Sequence, residues 1–422
     1  MQKKNSPLAI IGPGVLVAAT GVGAGDLATA TFTGAKLGTA VLWAVVVGAA
    51  LKFLLNEGIA RWQLATGTTL LEGCGTHLGR WVHWGFVVYL LVWSFLVAMA
   101  LMSACGVAAQ AIAPIGGDLT TGKIVFGILH SLLAVGLVLV GGYKWFERVM
   151  SVCIGVMFVV VVMTAVALHP PWEEVLAGTL VPTVPELHGE GLGWTIALLG
   201  GVGGTVTVLC YGYWIREEGR IDAGALNVCR IDLGVGYAMT ALFGMSMIII
   251  GDRLGELDGR GAGLIVGVAN TLENSFGGFG GPARLAFLVG AWGAFFSSLL
   301  GVWQSVPYLF ADLWGMMFGS PDAAPRPAVD TKSLPYRAYL AGIAVLPIAG
   351  LILFDFQSAI KTYSIIGAFF IPMLAAALLV LNGNAAWVGA ANRNSKLTTG
   401  LMVLTLLLFL FAGALGVAGA LS

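Results

Sequence analysis

Polar and charged positions along this chain come in short clusters. Between them run apolar stretches of about 20 residues, the length an α-helix needs to cross a bilayer. The pattern predicts eleven spans, at 8–34, 39–66, 81–113, 122–140, 148–168, 192–214, 231–250, 284–316, 336–353, 360–381 and 397–421. The third is long enough to tilt, and glycines interrupt the first and the sixth. The expected class is therefore an all-α polytopic membrane protein. Two loops on one side are long. The first, HPPWEEVLAGTLVPTVPELHGEGLG, is acidic and proline-rich. In the second, Ile265, Val268, Leu272 and Phe276 recur at helical spacing, which predicts a short amphipathic helix at the membrane interface. On the other side, SPDAAPRPAVDTKSLP reads as an extended loop. No stretch accommodates a soluble domain.

Composition agrees with that pattern. Hydrophobic residues make up 58% of the 422 positions and charged residues 10%, against about 25% charged in a soluble domain. Mean hydropathy is +0.92. A net charge of zero points away from nucleic-acid binding. Basic residues test the span map. With the amino terminus cytoplasmic, fourteen of the 21 fall on the inner side and six outside, with Lys52 inside a span. This follows the positive-inside rule and puts the carboxyl terminus outside the plasma membrane. Lys3 and Lys4 precede the first apolar run, but Pro13, the glycines and Asp26 interrupt it, so it reads as retained rather than cleaved.

The candidate chemistry lies inside the spans. In ATGVGAGDLATA, Gly21, Gly23 and Gly25 precede Asp26, the only acid of the first span. In the sixth, LLGGVGGTVTVLCYGYW carries Gly201, Gly203 and Gly204 in an echo of the first. Five spans separate the two clusters, an odd number, so the two halves run in opposite directions. A broken helix in each half of an inverted repeat is the best sequence pointer to a transporter's midplane site. Glycine costs about 1 kcal/mol in a helix relative to alanine. Unwound backbone is tolerated in a membrane only around a ligand, water or packed protein. Small residues also let helices touch, so close packing is the competing explanation for each cluster taken singly. Asp26, at the start of a second half-helix, sits where the macrodipole favours a carboxylate.

Other polar residues are weaker signals. Lys52, mid-span, either snorkels or faces the interior, where it can pair with Asp26 or stand in for a cation. Glu57 is four residues from Arg61, a spacing that suits an ion pair near the inner face. Thr205, Thr207 and Tyr211 follow the second glycine cluster, and Ser297, Ser298 and Gln304 form a polar patch in the eighth span. Trp81, Trp84, Trp194 and Trp214 lie near span ends, as interfacial anchors do. The five cysteines are scattered without CxxC spacing and read as packing residues. The five histidines include no pair at metal-ligand spacing, and no nucleophile–base pair stands out. An enzyme is therefore not expected, nor a resident cofactor or an obligate protein partner.

GPGVLVAATGVGAGDLATATFTGAKLG resembles the opening of the Nramp family of divalent-metal transporters, which begins GPG and continues to an Asp-Pro-Gly-Asn break. ARWQLATGTTLLEG resembles that family's second-helix end, CRIDLGVGYA the start of its seventh helix, and the serine pair of GAFFSSLLG fits its eighth. The likeness covers spans one to ten. It implies the leucine-transporter fold of the APC superfamily, with two inverted five-helix repeats, an eleventh helix, and helices 1 and 6 unwound. The corresponding divisions are 1–190 for the first repeat with its outer loop, 191–382 for the second, and 383–422 for the remainder. The departures matter as well. The family's break aspartate falls on Gly23, and its asparagine on Asp26, so the carboxylate is displaced by three residues. The sixth-helix methionine is replaced by Gly204, and no acid occurs between Glu72 and Asp118, where the family carries acids used in proton coupling.

Two functions are expected from this. The first is alternating-access transport of a divalent cation without proton coupling. Magnesium is favoured over manganese or iron, because the soft sulfur is missing and oxygen donors suit hard ions. Asp26 is its charged ligand, and Thr20, Gly23, Gly201, Gly204, Thr205 and Thr207 line the site. Lys52, Glu57, Tyr211, Ser297 and Ser298 are candidates for the pathway or for coupling. The second is a same-fold transporter of an organic solute, an amino acid or amine. Asp26 then holds the amine, with Lys52 in place of a coupling cation. A non-transporting sensor on a transporter scaffold is a third, weaker reading.

Overall fold

A computed structural model describes residues 12–116, 118–187, 191–255, 263–319, 329–354, 363, 366–367 and 369–421. The first residues of the first predicted span, most of the loop expected to be extended and the beginning of the predicted tenth span lie outside them. Among the described residues the secondary structure is helical throughout, with no strand.

The first span is two helices. α1, Pro13–Gly21, starts on a proline at its first turn, where the missing N–H costs nothing. Two residues, Val22 and Gly23, separate it from α2, Ala24–Leu37. α3, Leu42–Thr66, ends on Gly67, which takes the left-handed conformation (φ 74°) typical of a helix stop. α4, Leu70–His77, opens with a capping box: Thr69 accepts from the Glu72 amide, and Glu72 accepts from that of Thr69. α5, Trp81–Ile112, is the third span.

α6 runs Leu119–Ala167, 49 residues. At 1.5 Å per residue that is over 70 Å, more than twice a bilayer core of about 30 Å. Gly142 divides it (φ 63°, ψ 176°), which recovers the predicted fourth and fifth spans. α7, Trp172–Leu180, is a short helix in the acidic, proline-rich loop. The sixth span is broken like the first, into α8, Gly191–Gly201, and α9, Cys210–Glu217, with a 3-10 turn at Val206–Leu209 between them. α10 is Leu226–Leu254 and α11 Gly263–Ser275. α12, Gly280–Phe318, has 78% of its most apolar stretch buried, against 28% for α6. α12 is therefore a central element, and α6 a more peripheral one. α13 (Leu334–Val345), α14 (Pro347–Leu353), α15 (Phe370–Leu381), α16 (Ala385–Val388) and α17 (Lys396–Leu421) complete the described chain.

Seven stretches of the described residues are long and apolar enough to cross a membrane. The number is smaller than eleven because some predicted spans run on as one helical stretch, as in α6, and α15 is short, 12 residues. One expectation is corrected. The apolar face of α11 is not turned to lipid: Ile265, Val268 and Leu272 are fully buried, and the helix packs on α12. Arg284 pins it there, through Asn270 (3.2 Å) and Glu273 (3.4 Å).

Candidate functional site

The two broken helices cross at their breaks. A Cβ placed on Gly21 would lie 2.6 Å from the carbonyl carbon of Gly203, and one on Gly204 would lie 3.1 Å from Cα of Gly21. Gly203 and Gly204 also have φ of 81° and 84°, which L side chains rarely adopt. The glycines therefore serve both roles weighed from sequence. They break the helices, and they let the two unwound backbones touch.

A helix end leaves backbone groups without partners, and in a membrane they must be met internally. At the end of α1, the Ala19 carbonyl accepts from the hydroxyls of Ser297 (3.1 Å) and Ser298 (3.2 Å) on α12. The end of α8 is met by a cation. Lys52 Nζ donates to the carbonyls of Gly200 (3.1 Å), Val202 (2.9 Å) and Gly204. The lysine is 1% exposed, so it faces the interior and does not snorkel. The amide between the last two carbonyls, that of Gly203, donates to Asp26 Oδ2 at 3.1 Å. The segment from Gly200 to Gly204 thus meets a buried cation through its carbonyls and a buried carboxylate through an amide.

Two small cavities flank this crossing. Asp26, Gly201, Val202 and Thr240 help to line one; Thr20, Gly23, Gly204, Thr207 and Ser298 help to line the other. Each is about 10 Å³, room for about one water. Neither is lined by sulfur or imidazole among the described residues. Thr20 Oγ1 and Asn56 Oδ1 are buried with no hydrogen-bond partner among the described residues. Buried acceptors of this kind call for a water or a cation. Thr205 is drawn aside, its hydroxyl accepting from Trp93 Nε1 at 3.1 Å.

Two expected pathway residues have other surroundings. Glu57 is an ion-pair centre, with Arg61 at 3.2 Å and Arg230 at 2.8 Å. Arg61 continues to the Asn392 carbonyl (2.9 Å) and Asn394 (2.8 Å). Tyr211 directs its hydroxyl to the Cys229 carbonyl (3.2 Å) and to Asp232 (3.1 Å), away from the glycines. Asp232 also accepts from Arg220 at 2.9 Å and from the Gly12 amide at 3.0 Å. It is fully buried and ties the start of α1 to α10.

Sequence reasoning passed over Asn56, Tyr237, Thr240 and Asp232. Asn56 had a usable signal, since it stands four residues from Lys52 on the same helical face. Its amide donates to the Tyr237 hydroxyl at 2.9 Å. Nothing local marks Tyr237 or Thr240, which reach the crossing from another helix.

Comparison with known proteins adds a family and a fold. Residues 14–418 match the sequence model of the family described as "Natural resistance-associated macrophage protein-like", Nramp. A relative named divalent metal cation transporter MntH, from Chromohalobacter salexigens, is 24% identical over 60% of this chain and 58% of its own length. A metal transporter named Nramp6.2, from Populus trichocarpa, is 28% identical over 58% of this chain and 44% of its own length. The matched stretches thus span about half the length of these relatives. A manganese transporter of Eremococcus coleocola superposes with a TM-score of 0.77 at 16% identity, over 99% of this chain and 89% of its own. MhsT, solved in complex with L-phenylalanine, superposes with a TM-score of 0.65 at 15% identity, over 98% and 99%. The leucine-transporter fold expected from the sequence is the fold of this chain.

Proposed function

The chain belongs to the Nramp family, and from that premise we propose that it carries a divalent metal cation across the membrane by alternating access. The observation that carries the reading is the crossing of the two broken helices. A buried carboxylate, Asp26, stands there on the Gly203 amide, beside cavities that neither sulfur nor imidazole lines among the described residues. The names borne by the relatives, transporters of divalent metal cations and of manganese, support the same cargo class.

Magnesium is the favoured ion. Sulfur ligands select softer transition metals, whereas carboxylate, carbonyl and water suit magnesium. Magnesium also keeps several of its waters, and the orphaned Thr20 hydroxyl oxygen offers an acceptor for one. Asp26 is its charged ligand, directly or through water. Gly23, Gly201 and Thr207 line its surroundings. Transport runs without proton coupling, since α5 carries no acid. The chain lies in the plasma membrane with its amino terminus inside and carboxyl terminus outside, and its repeats divide at 190 and 382.

One observation favours the second reading, an amine as cargo. Three carbonyls of the α8 end already bind an ammonium, that of Lys52. The small volume of both cavities admits neither an organic solute nor an ion with several waters in this conformation, so either cargo requires the site to open.

Flux into proteoliposomes tests the proposal. Magnesium uptake is expected to exceed manganese uptake. Asp26→Ala is expected to lower both by about tenfold or more, the scale of one lost charged contact. No flux of either metal in folded protein would sink the cation reading and turn attention to amines.

A further inference from the structure

We propose that the end of α8 is a cation site built of backbone carbonyls, and that this chain fills it with a tethered cation of its own, Lys52. The inference goes beyond the cargo and does not depend on which cargo is carried.

The match of donors to acceptors carries it. A lysine ammonium has three N–H donors and no acceptor. It meets three carbonyls here, those of Gly200, Val202 and Gly204. Its donors are therefore all engaged, leaving none to bind an anion or to hand to a cargo. The carbonyls need it in turn, since they belong to an unwound helix end. An ammonium 1% exposed in the middle of a membrane helix must be compensated. Asp26 supplies the opposite charge, on the Gly203 amide of the same segment.

Two consequences follow. Removing the lysine charge leaves a ring of neutral oxygens suited to a small monovalent cation, such as potassium or methylammonium. While Lys52 is in place, a divalent cation can neither use those three carbonyls nor approach them without repulsion. Lys52 thus acts as a specificity determinant that keeps a diffusible cation off the α8 carbonyls.

The test is thermal unfolding of the purified full-length chain, as wild type, Lys52→Met and Lys52→Ala. The starting buffer has choline as its only added cation, and methylammonium or potassium is then supplied. Wild type is expected to be indifferent to the exchange. Both variants are expected to melt lower in choline; Lys52→Ala, which vacates the site, is expected to regain at least half of the lost Tm, saturably, with either small cation, and Lys52→Met, whose side chain still fills it, to regain less. Variants that melt like wild type in choline would overturn the proposal. So would a lowered Tm that neither cation restores, or an equal response of the wild type. If the variants fold only when purified with one of these cations, the proposal is supported. If they are recovered in no buffer, it fails. Divalent flux is not the readout, so failure here leaves the cargo reading standing, and failure of flux leaves this one standing.

Discussion

Individual glycines differ sharply in what they do here. Gly21 and Gly201 both look like helix breakers in the sequence, yet their surroundings are opposite. A methyl on Gly21 would run into backbone, at 2.6 Å from Gly203, and backbone cannot swing aside. Among the described residues a methyl on Gly201 would meet only Asp26 Oδ1, at 3.7 Å. Gly21→Ala is therefore expected to abolish transport and lower Tm by several degrees, with a cost on the overpacking scale of about 1–3 kcal/mol. Gly201→Ala should leave Tm within a degree or two of wild type. Parallel melting curves check this, and equal effects would mean that the two breaks are not in contact. Asp26 and both glycine clusters were legible from sequence because breakers and a lone acid within an apolar run are local signals. The partner of Lys52 was not legible, because it is backbone some 150 residues away.

At the scale of elements, the helix ends explain where the polar residues went. Ser297 and Ser298 take up the carbonyl of Ala19 at the end of α1. Lys52 does the same for α8. Thr69 and Glu72 cap α4 reciprocally. The α4 start also reaches α12, since Thr69 lies 3.5 Å from Asp312, which Tyr213 of α9 contacts at 2.5 Å. Thr69→Ala is expected to cost about 1 kcal/mol, the usual value of a lost cap, read as a small drop in Tm with transport retained. A Tm unchanged within error would show that the cap is replaced by water. The capping pattern could be read directly from Thr69-x-x-Glu72, and the merging of two spans in α6 turned on one left-handed glycine, Gly142.

At the scale of the whole molecule, a second polar centre fastens the helix bundle away from the glycine crossing. Asp232 gathers Arg220, Tyr211 and the Gly12 amide, so one buried carboxylate joins α1, α9, α10 and the connection between the last two. Breaking a buried ion pair by removing one partner costs about 3–5 kcal/mol, because the other charge is stranded. Asp232→Asn is expected to fall near the lower end of that range, and Asp232→Ala near the upper. Thermal melts would read the order, and reduced flux should accompany both through a loosened α1. Variants as stable as wild type would mean that Asp232 does not fasten α1.

The sequence by itself determined the class of this protein, its helical spans, the two interrupted helices and the family. Those follow from apolar run length, glycine's cost in a helix and local motifs, all of which act over a few to some twenty residues. Only the tertiary structure decided that the two breaks touch, that Lys52 faces inward onto the α8 carbonyls, that Arg230 joins the Glu57–Arg61 pair read from spacing, and that the Tyr211 hydroxyl meets Asp232. It also turned α11 onto α12. A side chain's partner within a membrane is whichever unsatisfied backbone or charge the packing brings near. That pairing joins residues far apart in the chain, where periodicity and spacing carry no information.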